Sequence, residues 1–144
     1  MKDDARKFET ARVHANELSV VWPEVQSWLE VSLAEFPSLL TTDFLRESIA
    51  NNRYALWVVR FGHQSFAVAV TEIVVGKFSA INVLAMGGID MEYWIESFTK
   101  RLEDYARECN CSYIFEMGRK GWVRVLKPLG WTEGPVAMVR KVPS

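Results

Sequence analysis

Apolar positions change period several times along this chain, and each change marks an element. From Met91 they fall at Trp94, Ile95, Phe98, Leu102, Tyr105, Ala106 and Cys109, with Glu96, Lys100, Arg101, Glu103, Asp104 and Arg107 elsewhere on the wheel. That spacing predicts an amphipathic helix of about five turns. Asp90 is its expected N-cap, and Asn110 can supply a left-handed C-terminal cap. Short apolar runs on either side, Phe78–Met86 and Ser112–Phe115, predict strands. Strand, crossover helix and strand in one sheet form a right-handed βαβ unit. Gly87-Gly88 is expected to end the first strand in a turn, leaving the free N–H groups of the helix start as an anion site.

Earlier in the chain the signals are shorter. Met1 to Glu9 is charged and expected to be ragged, with a weak strand over Thr10 to His14 and a loop over Ala15 to Ser19. Pro23 suits a first helical turn, and Val25, Trp28, Leu29, Leu33 and Phe36 repeat at helical spacing until Pro37. Thr41, Thr42 or Asp43 caps a second helix that fades into Asn51-Asn52. Three antiparallel strands follow: Tyr54–Phe61, Gln64–Val75 across a Gly62-His63 turn, and Phe78–Met86 across Gly76-Lys77. After the βαβ unit come a loop over Met117–Gly121 and a short helix over Trp122–Lys127, ended by Pro128 and Gly130. Trp131–Glu133 and Val136–Val142 read as a closing hairpin. The order is β-α-α-β-β-β-α-β-α-β-β, an α+β fold with a mixed sheet of about seven strands and four helices on both faces.

Composition narrows the class. With 144 residues and 49% apolar content, the chain is expected to be a single domain with one core. A net charge of −1 gives no general attraction to nucleic acid or an anionic membrane. No apolar stretch reaches the ~18 residues of a membrane span. Met1-Lys2-Asp3-Asp4 leads to no apolar core, so no signal peptide is expected and the cytoplasm is the expected compartment. Cys109 and Cys111 are expected to be buried free thiols. Neither a Cys/His metal spacing nor a Ser/His/Asp set is present, so no metal is expected.

The element order, with a glycine turn between strand four and the long helix, resembles the GNAT (GCN5-related N-acetyltransferase) superfamily. The C-terminal RKGWVRVLKPLGW resembles its final motif, a short helix leading into a Gly-aromatic pair, here Gly130-Trp131. The GR-x-GW-x-R-x-L-x-x-LG segment from Gly118 to Gly130 is most similar to small GNAT-like proteins of tailed phages. This resemblance spans Lys7 to Val142 and implies an acetyl-CoA-dependent N-acetyltransferase acting on an amine acceptor. The compartment would then be a host cytoplasm or a virion. The family binds the pyrophosphate with a Gln/Arg-x-x-Gly-x-Gly/Ala loop; the matching segment here is Leu84, Ala85, Met86, Gly87, Gly88, Ile89 and Asp90. The cationic or amide residue is missing, and Asp90 sits where phosphate would approach. The family's general-acid tyrosine, four residues before the Gly of the Gly-aromatic pair, is Leu126 here, and the asparagine usual at the start of that helix is replaced by Lys120 or its neighbour.

Other residues are candidates for the missing roles. Glu72 and Asn82, on adjacent strands, can orient an amine or a water, and a buried carboxylate is a competent base. Tyr113 opens strand five, where it can face the cleft. Arg119 and Lys120 can supply phosphate charge if their loop lies beside the glycines. The resemblance leaves two readings: an active N-acetyltransferase, or a catalytically inactive GNAT-fold phage component whose aromatic surface binds a protein partner, viral or host.

Overall fold

A computed structural model describes residues 7–34, 39–116, 120–134 and 140–143. Five strands form one sheet in sequence order: β1 (Phe8–Val13), β2 (Ala55–Phe61), β3 (Gln64–Val75), β4 (Ser79–Gly88) and β5 (Tyr113–Glu116). The first four are antiparallel neighbours, and β5 runs parallel to β4. Four helices accompany them: α1 (Leu18–Ala34), α2 (Thr42–Ala50), α3 (Met91–Glu108) and α4 (Lys120–Leu126). The class is α+β, as the alternation of periods predicts.

Side chains alternate across the sheet and build two cores. On one face Trp57, Val59, Ala67, Ala69, Val83 and Met86 pack with Trp94, Phe98 and Leu102 of α3 and Leu126 of α4. On the other, Leu56, Val58, Val68, Val70 and Ala85 pack with Val21, Trp22, Val25 and Leu29 of α1 and Leu45 and Ile49 of α2. Thr71 is buried in the first face because its Oγ1 accepts the Trp57 indole N–H at 2.9 Å.

Several boundaries differ from the sequence expectation. Phe8 and Glu9 are already in β1, where Phe8 packs edge-on to Phe66 and against Phe61. Ala15–Glu17 is a 3-10 turn rather than a loop, and α1 begins at Leu18, so Pro23 lies within that helix. The turn supplies the start that the proline was expected to give: Glu17 N–H donates to His14 O, and His14 N–H to Glu17 Oε1. Residues 35–38, with Phe36 and Pro37, lie outside the described residues. α2 starts as expected, Thr41 Oγ1 accepting the Phe44 N–H. The expected closing hairpin is not seen among the described residues. Trp131–Glu133 and Arg140–Val142 are not in strands, and residues 135–139 lie outside the described set, so the described sheet has five strands rather than seven. Trp131 instead packs its ring against the α3-side core. Cys109 and Cys111 are free but only half-buried.

Candidate functional site

The sheet opens where β4 and β5 part. Their pairing runs from Ala80 with Tyr113 to Val83 with Glu116, while β4 continues against β3 as far as Gly88. Among the described residues, Leu84 to Gly88 therefore pair with β3 alone, and residues 117–119, which follow β5, lie outside the described set. The departure coincides with a bulge: Val70 faces Ala85 but Thr71 faces Val83, leaving Leu84 unmatched on β3. A bulged, half-unpaired strand end of this kind can hydrogen-bond an extended ligand as a strand would.

Which backbone groups face the opening follows from the ladder. Ile89 N–H donates to Phe66 O on β3 at 2.8 Å. By the two-residue period, the Met86 N–H points away from β3, toward the opening. It is taken by Ser32 Oγ at 3.2 Å, a hydroxyl delivered from the last turns of α1. Ile89 O, in turn, accepts the Trp94 indole N–H at 2.7 Å, fixing the start of α3 to the end of β4.

Gly87 and Gly88 are not a turn; both are paired in β4, opposite Val68 and Ala67. Their lack of side chains serves close approach on the two faces. A Cβ at Gly87 would stand 2.8 Å from the Trp28 carbonyl oxygen of α1. A Cβ at Gly88, where φ is 154°, would collide with Phe66 O and stand 2.6 Å from Ala67 Cα. The turn falls one step later, at Ile89 and Asp90. Asp90 occupies the N-cap position of α3 in a left-handed conformation (φ 54°) and makes no side-chain capping bond. The expected N-cap is thus present by position and absent by hydrogen bond.

The sequence-chosen polar residues separate by face. Glu72 and Asn82 are directly paired across β3 and β4, Asn82 Nδ2 donating to Glu72 Oε1 at 3.3 Å. Phe115 is next in the same rung, and Tyr113, exposed, follows one pleat further from the opening with its ring against Phe78. All lie on the α1/α2 face. Tyr54 is close enough for the Glu72 charge to matter: burial first, then Glu72, push its hydroxyl pKa up, and Arg53 opposes. Leu84 packs on the α1-side core and Ile89 is exposed.

One residue escaped the sequence reading. Glu116 forms the last rung with Val83, at the apex of the opening and, by parity with Ile114, on the α3/α4 face. The residue keeps some surface, but its Oε2 is buried and has no hydrogen-bond partner. Burial pushes the carboxyl up to about 8. The signal was present in the sequence: a carboxylate in phase with Ile114 at the end of the apolar run Tyr113–Phe115.

The remaining candidates add less. Arg119 lies outside the described residues, and Lys120 opens α4. Leu126 is buried in the core. Among the described residues, no group of His, Cys, Asp and Glu is placed to hold a metal, and no helix is long and apolar enough to cross a membrane. Burial and the neighbouring Cys109 push the Cys111 thiol up, away from nucleophilic thiolate chemistry. An open groove lined by Ala15, Leu18 and Ser19 with Asp43, Arg46 and Glu47 of α2 lies at the far end of α1 from Ser32.

No family model matches the sequence, and no curated protein is similar to it in sequence. Solved structures are similar in fold. The chain superposes with a TM-score of 0.73 on an aminoglycoside acetyltransferase from an uncultured soil metagenomic sample, at 9% identity over 96% of this chain and 98% of that one. A predicted acetyltransferase from Clostridium acetobutylicum, solved with acetyl-CoA, matches at 0.68 and 15% identity over 93% and 96%. A GCN5-related N-acetyltransferase from Ralstonia eutropha JMP134 matches at 0.67 and 13% identity over 94% and 98%. At such identities it is the backbone that is shared, and nearly all of it. The chain has the fold of the GCN5-related N-acetyltransferases.

Proposed function

We propose that this protein is an N-acetyltransferase that takes an acetyl group from acetyl-CoA and transfers it to an amine. The observation that carries the reading is the opening between β4 and β5, with its bulge at Leu84 and a backbone edge from Leu84 to Gly88 that no described strand pairs and whose Met86 N–H goes instead to Ser32 Oγ. Similar folds include one solved with acetyl-CoA, which supports that donor. The residues present suit the acyl arm of such a donor better than its phosphates. The Met86 N–H faces the opening and is held only by a hydroxyl, which a carbonyl oxygen can replace. Against that, Ile89 N–H is already used and Asp90 brings a carboxylate to the helix start. Phosphate charge then falls to Arg119 and Lys120.

In this reading the α1/α2 face receives the acceptor. Asn82 orients the Glu72 carboxylate, which attracts an ammonium, and Phe115 and Tyr113 offer apolar faces beside it. Met86 N–H polarises the thioester carbonyl once Ser32 has yielded it. Once the ammonium has given a proton to water, the neutral amine attacks that carbonyl carbon, the C–S bond breaks, and the coenzyme leaves as its thiol.

Thermal unfolding with and without millimolar acetyl-CoA tests the proposal. Ligand at about 100 times its Kd stabilises by about 2.7 kcal/mol, several degrees in Tm for a domain of this size. An unchanged Tm together with no calorimetric heat overturns it. A second reading, a phage-type GNAT-fold component without catalysis, is favoured by the exposed aromatic group Phe78, Tyr113 and Phe115, which an interface would cover. The phage relation itself rests on the Gly118–Gly130 motif.

A further inference from the structure

We infer that Glu116 is the proton donor to the departing thiol, filling the role for which α4 offers only Leu126. The inference rests on the acetyl-transfer reading above and assigns a residue within it. Three observations place Glu116 there. It forms the last described rung between β4 and β5, three residues along β4 from Met86, whose N–H is bonded to Ser32 and not to β5. Its side chain lies on the face covered by α3 and α4, opposite to Glu72, so the two carboxylates do not compete for one proton. Its Oε2 is buried with no hydrogen-bond partner, an arrangement that costs stability and is kept where a group has work to do.

The environment holds the group as an acid. Burial is the cause of its raised pKa. The described charged side chains on the flanking elements do not stand in for a partner: Glu92 and Glu96 of α3, Arg124 of α4 and Lys127 beyond it are exposed, and Arg101 of α3 is turned to Glu108 and the Trp57 ring. A neutral carboxyl needs no cation beside it and can give a hydrogen bond, which a carboxylate cannot. The chemistry balances on this one group. As the amine nitrogen bonds to the carbonyl carbon and the C–S bond breaks, its electron pair passes to sulfur and Glu116 delivers its proton there. The proton shed by the amine nitrogen passes to water, and a proton from water restores the carboxyl.

The test needs no knowledge of the acceptor. Acetyl-CoA is titrated calorimetrically into the wild-type protein and into Glu116→Gln from pH 6 to pH 9.5. In the wild type, affinity should fall by about tenfold as the carboxyl ionises around pH 8 and its donor hydrogen bond is lost. In Glu116→Gln, which keeps a neutral donor at every pH, it should stay level apart from changes common to both proteins. Infrared spectra of the wild type supply a second readout that survives a misfolded variant: a protonated-carboxyl band present at pH 7 should shift when acetyl-CoA is added. Parallel pH profiles, or a carboxyl band indifferent to acetyl-CoA, overturn the assignment while leaving acetyl-CoA binding intact. Absence of binding by both proteins at every pH instead overturns the acetyl-transfer reading, and the assignment with it.

Discussion

Glu72 and Glu116 are two carboxylates in adjacent rungs of the same sheet, yet they lie in opposite surroundings. Glu72 belongs to the rung Glu72–Asn82–Phe115, on the α1/α2 face, where an amide from the neighbouring strand answers it. Glu116 belongs to the rung Thr71–Val83–Glu116, one step closer to the opening and on the α3/α4 face, where its Oε2 goes unanswered. A single step along a strand reverses the face, and with it the choice between a carboxylate hydrogen-bonded by a neighbouring amide and one whose Oε2 is buried without a partner. In the proposed reading, the sheet thereby separates an amine-attracting carboxylate from a proton-holding one without any difference in residue type.

The contrast can be broken most forcefully at Glu116. Its folded pKa, about 8, stands above the ordinary carboxylate value of 4.5, so its contribution to stability is full below pH 4.5 and is lost as pH rises toward 8. Glu116→Gln removes that loss. The variant should gain on the wild type by about 1.4 kcal/mol per pH unit across the window, reaching roughly 4–5 kcal/mol at pH 8, as read from urea unfolding at several pH values. A constant difference across pH 5 to 8 would mean that the carboxyl is solvated in solution. Ser32→Ala, which leaves the Met86 N–H without its acceptor, should cost about 1 kcal/mol by the same measurement. No cost would mean that water already serves that N–H. At Glu72 the smallest effect is expected. Glu72→Gln keeps an oxygen to accept from Asn82 and should change stability by less than about 0.5 kcal/mol. A loss several times larger would place Glu72 among the structural residues and weaken its role toward an amine.

Much of this architecture was legible because it depends on local period. The α3 stripe is buried as its spacing predicts, at Trp94, Ile95, Phe98, Leu102 and Ala106, and Asn110 takes the left-handed conformation expected after the helix. Gln64–Val75 is a strand over its whole predicted length, and Gly62 makes the hairpin turn with φ 61°. The site was harder to read because its features are non-local. Gly87 and Gly88 read as a turn from composition, but they are glycines because Trp28 of α1 and Phe66 of β3 come too near for a side chain. Nothing near them in sequence signals either neighbour. Glu116 ends a four-residue strand, too short for its alternation to stand out, and its burial depends on helices packed from elsewhere. Glu72 and Asn82 are legible as polar candidates on adjacent strands, but their pairing needs the register.

Trp28 and Ser32 are one turn apart on α1, and both bear directly on β4: the first by its carbonyl against Gly87, the second by its hydroxyl on Met86. Helix and strand are thus riveted at two points with no compressible side chain between them. Were α1 to rock about the Trp28 contact, its arms would be roughly 6 Å toward Ser32 and 15 Å toward Leu18. An ångström of give at the opening would then become about 2.5 Å of travel at the other end. That end is Leu18, beside the groove it shares with Ala15, Asp43 and Arg46, so α1 has the leverage to register at a distant surface what enters between the strands.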